Sequence, residues 1–146
     1  MSSAFYFDSS ALVKRYVREA GSSVVETIFR KNAQIVTAGL TYCELYACFG
    51  RLVRLGDATR EQMIGVCAAF EADWTQCTII ELTATVRKLV PKMTSSTALR
   101  GGDVVQLCSA LRAAEVVDHL RFVAADLRLL NAAKGCGLRV IDPTAQ

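Results

Sequence analysis

The stretch that most constrains the fold is residues 5–8, three consecutive aromatic residues followed by an aspartate. Such an aromatic run is typical of a short, fully buried strand. Asp8 ends this strand, and the two serines after it offer an N-cap to a helical pattern that starts at Ala11. An acid therefore stands where a buried strand passes into a helix. In a parallel sheet all such junctions lie at the carboxyl edge, where open α/β folds bind their ligands.

The rest of the chain alternates short apolar runs with helical patterns. The predicted strands cover residues 5–7, 34–38, 77–82, 121–125 and 138–141. The predicted helices cover residues 11–21, 24–30, 41–55, 57–74, 83–93, 104–111 and 127–134, with a loop at 94–97. Thr59 and Gln62 form a capping-box pattern at the start of one of these helices. This alternation predicts an α/β fold with a parallel sheet, in a single domain over residues 1–146.

The composition favours a folded cytoplasmic protein. Hydrophobic residues make up 52% of the 146 residues and charged residues 21%, so a sizeable core is expected. No apolar run approaches the ~18 residues that a membrane span needs, so no membrane association is expected. Residues 1–4 lack the features of a signal peptide, and the six cysteines form no C-x-x-C pair, which predicts reduced thiols. The only histidine, His119, cannot build a histidine-rich metal site.

Three acids are predicted to meet at the carboxyl edge of this sheet. Asp8 ends the first strand, Asp126 ends the fourth, and Glu44 lies in the first helical turn after the second. Parallel topology alone brings these three to one edge. Asp103 begins a helix after a pair of glycines, and its place relative to the sheet does not follow from the pattern.

Each acid also has a purely structural interpretation. Thr41 and Glu44 have the spacing of a capping box, and Asp8, Asp103 and Asp126 are each placed to act as an N-cap. Crowding carboxylates within ~4–6 Å raises their pKa values, however, and costs free energy unless a cation intervenes. All-oxygen ligands suit Mg²⁺ or Mn²⁺, which lower the pKa of a bound water and neutralise a phosphoryl group.

The charge balance fits such a site. The net charge is +3, and setting four acids aside as ligands leaves an excess of seven positive charges. A basic remainder suits a polyanionic partner, although this is a weak signal by itself.

Other acid-bearing α/β classes fit less well. A phosphotransferase of the haloacid-dehalogenase type needs a second aspartate where this chain has Ser10. A receiver domain needs a paired acid near Asp8 and a lysine after a late strand. A dinucleotide-binding motif fails because Gly135 and Gly137 lack a third glycine and precede a strand. A non-catalytic RNA- or protein-binding module stays open as the alternative.

Four short motifs in order resemble PIN-domain proteins, and most closely the VapC-type toxins of bacterial toxin–antitoxin pairs. These motifs are residues 5–15, Thr41-x-x-Glu44 with Arg51 one heptad later, residues 99–107 and residues 122–140. The resemblance covers nearly the whole chain. Two departures are Ala124, where many relatives have serine or threonine, and the glycine pair before Asp103.

The resemblance implies a PIN-like three-layer α/β/α fold with a central parallel sheet of about five strands. It implies a Mg²⁺- or Mn²⁺-dependent endoribonuclease that acts on structured RNA such as tRNA or rRNA. It also implies a homodimer held inactive by a cognate antitoxin protein. The family's acidic quartet maps onto Asp8, Glu44, Asp103 and Asp126, and Ser10 maps onto a small hydroxyl residue near the metal.

This resemblance gives each residue an expected role. Asp8, Asp103 and Asp126 are the main expected metal ligands, and Glu44 binds the metal or orients the attacking water. In-line attack by that water leaves a 5′-phosphate and a 3′-hydroxyl. The candidate phosphate contacts, each equally well explained as a solvated surface charge, are Lys14, Arg15, Arg51 and Arg100. A groove between the helix at 57–74 and the helix after Thr83 is expected to accept the antitoxin.

Overall fold

The computed structural model describes residues 3–145, and it contains one sheet of five strands that all run parallel. The strands are β1 (Ala4–Phe7), β2 (Gln34–Ala38), β3 (Thr78–Ile80), β4 (Leu120–Val123) and β5 (Arg139–Ile141). Their order is β3-β2-β1-β4-β5, so β1 lies at the centre between β2 and β4. The predicted α/β fold with a parallel sheet of about five strands is confirmed. The strand order reverses between β1 and β4, and this switch point is where such sheets bind ligands.

The helices connect these strands on both sides of the sheet. They are α1 (Ser9–Leu12), α2 (Ser22–Arg30), α3 (Gly39–Arg54), α4 (Arg60–Trp74), α5 (Ala84–Arg87), α6 (Val90–Ser96), α7 (Gly101–Val116) and α8 (Leu127–Gly135). A 3₁₀ turn, Val13–Arg15, follows α1. The capping box of Thr59 and Gln62 at the start of α4 is confirmed. No helix in residues 3–145 is both long enough and apolar enough to span a bilayer.

The alternation of side chains along β1 divides the interior into two cores. Ala4 and Tyr6 face one core, which α5, α6, α7 and α8 cover. Phe5 and Phe7 face the other core, which α1, α2, α3 and α4 cover. Successive side chains of a strand point to opposite faces, so the four-residue β1 is buried on both sides. The result is the three-layer α/β/α arrangement.

Two predicted helices are broken in the structure. The helix predicted for residues 11–21 ends after the 3₁₀ turn, because the Ser22 hydroxyl bonds the Glu19 N–H and the Val17 carbonyl and so fixes a loop. The helix predicted for residues 83–93 is divided into α5 and α6. Pro91 lies in the first turn of α6, where a backbone N–H has no partner within the helix, so proline is tolerated there. The loop predicted at 94–97 is mostly helical, since α6 continues to Ser96.

The predicted antitoxin groove is wrong. Phe70 of α4 belongs to one core, whereas Val86 of α5 and Met93 of α6 belong to the other. The two helices expected to form the groove therefore lie on opposite faces of the sheet. The parts of the domain and signal-peptide predictions that concern residues 1, 2 and 146 lie outside the described range.

Candidate active site

Asp8 lies at the carboxyl end of the central strand and is almost completely buried, with 3% of its surface exposed. It directly follows β1, and its backbone N–H continues the ladder by donating to the Val123 carbonyl at 3.1 Å. Its carboxylate caps α1 by accepting the Ala11 N–H at 3.0 Å. The predicted cap is thus present, but one backbone N–H and one hydroxyl are all that satisfy this carboxylate.

The Ser10 hydroxyl connects Asp8 to the next strand of the sheet. Its Oγ donates to the Asp8 carboxylate, at 2.8 Å from Oδ1 and 2.7 Å from Oδ2. The same Oγ accepts the N–H of Ala125, the residue before Asp126, at 3.1 Å. The end of β1 and the segment after β4 are therefore joined through one side chain.

Asp126 lies beside Asp8 at the same edge because β4 pairs directly with β1. Its carboxylate accepts the Leu129 N–H at 3.2 Å and so caps α8. This interaction occupies one carboxylate oxygen. Asp126 is only partly buried, and its other oxygen stays available for a ligand.

Asp103, which the sequence pattern did not place, is brought to this edge by α7. The helix begins at Gly101, so Asp103 lies in its first turn and is not the N-cap, which is Arg100. Burial raises the pKa of Asp103, and the negative charges of Asp126 and Glu44 raise it further. Asp103 is therefore close enough to both acids to interact with them electrostatically.

Glu44 reaches the same place from α3. This helix begins at Gly39, directly after β2, so Thr41 and Glu44 do not occupy the N-cap and N3 positions of a capping box. The Glu44 carboxylate instead accepts a hydrogen bond from Gln106 at 2.9 Å. It also faces the start of α7, where a Cβ on Gly102 would lie 3.6 Å from Glu44 Oε2.

The four carboxylates form one negatively charged cluster. Burial raises the pKa of Asp8 from 3.8 to about 7, and the negative charges of Asp103 and Glu44 add to this effect. The hydrogen bonds from Ser10 and Ala11 oppose it only in part. Ionising Asp8 at neutral pH is thus costly in the absence of a compensating positive charge.

The donor set fits a hard divalent cation. Carboxylate oxygens and a hydroxyl are the ligands that Mg²⁺ and Mn²⁺ prefer, and a cation bound here would offset the burial that raises the pKa of Asp8. Within residues 3–145, no three acidic, histidine or cysteine side chains already stand close enough to hold one ion.

Two arginines border the acids. A cavity of about 180 Å³ is lined by Ala98, Leu99, Arg100, Asp103, Asp126 and Arg128. The positive charges of Arg100 and Arg128 both lower the pKa of Asp103, which places the two guanidinium groups near its carboxylate. Sequence reasoning missed Arg128. Its signal was a cation in the first turn of α8, where the helix dipole disfavours positive charge.

Two of the predicted phosphate contacts are not supported. Lys14 is 7% exposed, and its ammonium is held by Glu19 at 3.0 Å. Arg15 donates to Asp73 at 2.8 Å and packs over the ring of Phe29 at 4.0 Å. Both cations already have carboxylate partners within the protein, and their roles as phosphate contacts stay predictions.

The remaining candidate on α3, Arg51, is exposed two turns beyond Glu44. Its role as a phosphate contact stays a prediction.

The chain is similar to ribonucleases along nearly its whole length. Ribonuclease VapC45 and Ribonuclease VapC49, from two strains of Mycobacterium tuberculosis, are each 33% identical over 142 residues. The aligned region covers 94% of this chain and 97% of each relative. No protein-family model matches the sequence.

Solved structures give the same fold at much lower identity. FitAB bound to an IR36 DNA fragment matches with a TM-score of 0.70 at 9% identity, covering 97% of this chain and 96% of that one. VapBC2 of Rickettsia felis, bound to a DNA fragment from its promoter, matches with a TM-score of 0.66 at 9% identity. That match covers 95% of this chain and 98% of the other.

VapBC-1 of nontypeable Haemophilus influenzae matches with a TM-score of 0.64 at 14% identity, covering 97% and 99% of the two chains. The parallel five-stranded sheet with acids at its carboxyl edge thus has the PIN-domain fold. With relatives 33% identical over nearly all of its length, the chain belongs to the VapC family of ribonucleases.

Proposed function

We propose that this chain is a metal-dependent endoribonuclease, the toxin of a toxin–antitoxin pair, which hydrolyses phosphodiester bonds in structured RNA such as tRNA or rRNA. The observation that carries this proposal is the electrostatic coupling of Asp8, Glu44, Asp103 and Asp126 at one edge of the sheet. Carboxylates that only capped separate helices would not need to lie close enough to raise one another's pKa values. The activity in the names of the relatives supports the same conclusion.

The four acids have different roles, according to their positions. Asp8, Asp103 and Asp126 would hold Mg²⁺ or Mn²⁺, directly or through water. The ion, when bound, lowers the pKa of a water and neutralises charge on the phosphoryl group. Glu44 binds the ion or orients the water that attacks phosphorus in line, leaving a 5′-phosphate and a 3′-hydroxyl. Ser10 keeps the Asp8 carboxylate turned toward the segment that carries Asp126.

The substrate's phosphates would meet Arg100 and Arg128. Both side chains are exposed, and both line the cavity that Asp103 and Asp126 also line. Phosphate contacts of this kind position a nucleic acid without reading its sequence. Arg51 is a third candidate, farther along α3.

A cognate antitoxin and a homodimer complete the proposal. The antitoxin is supported by the structural similarity to VapBC2 of Rickettsia felis, which is bound to promoter DNA, and to VapBC-1 of nontypeable Haemophilus influenzae. The predicted groove no longer supports it, since α4 and α5 lie on different faces. Co-purification of a small partner protein with the tagged chain, and suppression of its toxicity by that partner in a growth assay, test this part.

The activity is tested with purified protein and total RNA, by sequencing the new 5′ ends. Wild type is expected to cleave only with Mg²⁺ or Mn²⁺ and to stop when a chelator is added. Asp8→Asn and Asp126→Asn are expected to lose about 100-fold or more in rate. Asp118→Asn is the matched control, because Asp118 is an exposed acid that precedes β4 where Asp126 follows it.

Two results would contradict the proposal. Cleavage by Asp8→Asn at the wild-type rate would remove the acidic cluster from the reaction. RNA binding by wild type without cleavage at any ion concentration would instead support the non-catalytic binding module.

A further inference from the structure

Gln106 is a buried polar residue in the apolar interior of α7, one turn after Asp103. It is 1% exposed, and its neighbours along the helix, Leu107 and Cys108, are core residues. We infer that Gln106 is a positioning residue that holds the Glu44 carboxylate in the acidic cluster. This inference rests on the proposed function, because Glu44 matters only if the cluster is catalytic.

The amide of Gln106 bonds to three side chains on two other elements. Its Nε2 donates to Glu44 Oε1 and to Thr41 Oγ1, each at 2.9 Å. Its Oε1 accepts the hydroxyl proton of Tyr6 at 2.6 Å. Strand β1 and helices α3 and α7, which position three of the four acids, therefore meet at one side chain.

Chemistry fixes which way this amide points. An ionised carboxylate only accepts hydrogen bonds, so the NH₂ group must face Glu44. The Tyr6 phenol has a proton to donate, and the amide oxygen of Gln106 only accepts. Tyr6 therefore donates to Oε1. If the amide were turned by 180°, its oxygen would face the Glu44 carboxylate, and both groups are acceptors.

The network continues from Thr41 to the end of β1. The Thr37 Oγ lies 2.7 Å from the Phe7 carbonyl oxygen and 2.8 Å from Thr41 Oγ1. A hydroxyl has one proton and a carbonyl only accepts, so Thr37 donates to Phe7 and the Thr41 proton is left for Thr37. Phe7 is the residue before Asp8, and the chain of bonds therefore ends next to the most buried acid.

The bond to Gln106 opposes a repulsion within the cluster. The negative charge of Glu44 acts on both Asp8 and Asp103, and like charges push each other apart. Glu44 is only partly buried, so a free side chain has room to rotate toward water. The Nε2–H of Gln106 holds the carboxylate against that motion.

The experiment compares Gln106→Met, Glu44→Ala and the double variant with wild type. Methionine keeps the length and volume of the side chain but has no N–H to donate. Gln106→Met is expected to lower kcat by about 10- to 100-fold, as a misplaced catalytic group does, with KM for RNA nearly unchanged. The Mn²⁺ concentration for half-maximal rate is expected to rise. In the Glu44→Ala background, the same substitution is expected to cause no further loss.

Cys108→Ala is the matched control on the same helix. Cys108 is as buried as Gln106 and packs in the hydrophobic core, so its truncation should leave kcat and KM unchanged. Circular dichroism at the assay temperature verifies that all variants are folded. A Gln106→Met variant with wild-type kcat, or losses that multiply in the double variant, would overturn the inference. If wild type itself cleaves no RNA, the proposed function has failed instead.

Discussion

Asp8 is the residue whose chemistry depends most on its surroundings. It has 3% exposure at the end of a strand of aromatic and aliphatic residues, and two hydrogen-bond donors satisfy its carboxylate. The folded protein therefore binds a proton at Asp8 more tightly than the unfolded chain does, with a pKa of about 7 against 3.8. A group of this kind makes the stability of the metal-free protein depend on pH.

The first prediction concerns that dependence. For an acid whose pKa is raised on folding, stability falls as the pH rises from about 4 to about 7 and stays low above that range. Asp8→Asn removes the ionisation, so the metal-free variant should be more stable than wild type at pH 8 and similar at pH 4. The shift corresponds to an upper limit of about 4 kcal/mol. Urea unfolding at several pH values in a chelator measures the difference.

The second prediction concerns divalent ions. An ion that binds only the folded protein stabilises it by mass action. At pH 8, Mn²⁺ at about 100 times its Kd should raise the unfolding free energy of wild type by about 2.7 kcal/mol. Asp8→Asn should show a much smaller increase, and Asp118→Asn should respond like wild type. Equal increases in all three proteins would mean that the ion binds elsewhere.

At the scale of elements, α7 has the largest role in building the site. It carries Asp103 in its first turn and Gln106 in its second, and it packs against the sheet along its length. Two glycines, Gly101 and Gly102, occupy its first two positions. Glycine weakens a helix because it loses more backbone freedom on folding than alanine does.

The third prediction uses this glycine pair. A Cβ on Gly101 meets nothing within 4 Å, so Gly101→Ala should raise stability by about 0.5–1 kcal/mol and leave cleavage unchanged. A Cβ on Gly102 would lie 3.6 Å from Glu44 Oε2, so Gly102→Ala should give similar stability with slower cleavage. Thermal unfolding and RNA cleavage rates are measured side by side. Equal cleavage by both variants would show that Glu44 tolerates an apolar neighbour.

The elements differ in how well the sequence predicts them. The sequence predicts the strands well, because runs of aromatic and β-branched residues between polar turns rarely adopt another structure. Parallel topology then brings Asp8, Glu44 and Asp126 to one edge. The bonds that stop the first helix come from Ser22, which lies beyond the predicted helix end. Local periodicity does not contain that information.

Side-chain partners distant in the chain were the main source of error at the site. Arg15 is engaged by Asp73, which is 58 residues away, and Gln106 contacts Tyr6, which is 100 residues away. The sequence pattern does not give the position of Asp103, because the packing of α7, and not the end of a strand, positions this residue. Such contacts depend on which layer covers which face of the sheet, and a single sequence does not reveal this.

At the scale of the molecule, the parallel sheet concentrates charge of both signs at one edge. The chain has a net charge of +3, yet two of the acids, Asp103 and Asp126, and two exposed arginines line one small cavity. An RNA backbone that approached this cavity would meet the guanidinium groups beside the acids. Its affinity should therefore depend on the release of counterions as well as on the bound metal.

The fourth prediction follows from this distribution. In an Asp8→Asn background, which keeps the RNA intact, Arg100→Gln and Arg128→Gln should each weaken RNA binding. Each should also reduce the slope of log K against log salt by about one. Arg30→Gln is the control, because Arg30 is 76% exposed at the end of α2, which leads into the opposite edge of the sheet. A slope unchanged by all three substitutions would place the RNA elsewhere.

The division of the interior into two cores has a consequence for spectroscopy. The only tryptophan, Trp74, packs on Tyr42 and Phe70 in the core under α3 and α4. Its intrinsic fluorescence therefore changes when the core on that side of the sheet loosens. It does not report fraying of α7 on the other side. A melting curve followed by emission alone would overlook partial opening of the layer that presents Asp103, and a second chromophore on that layer would make it visible.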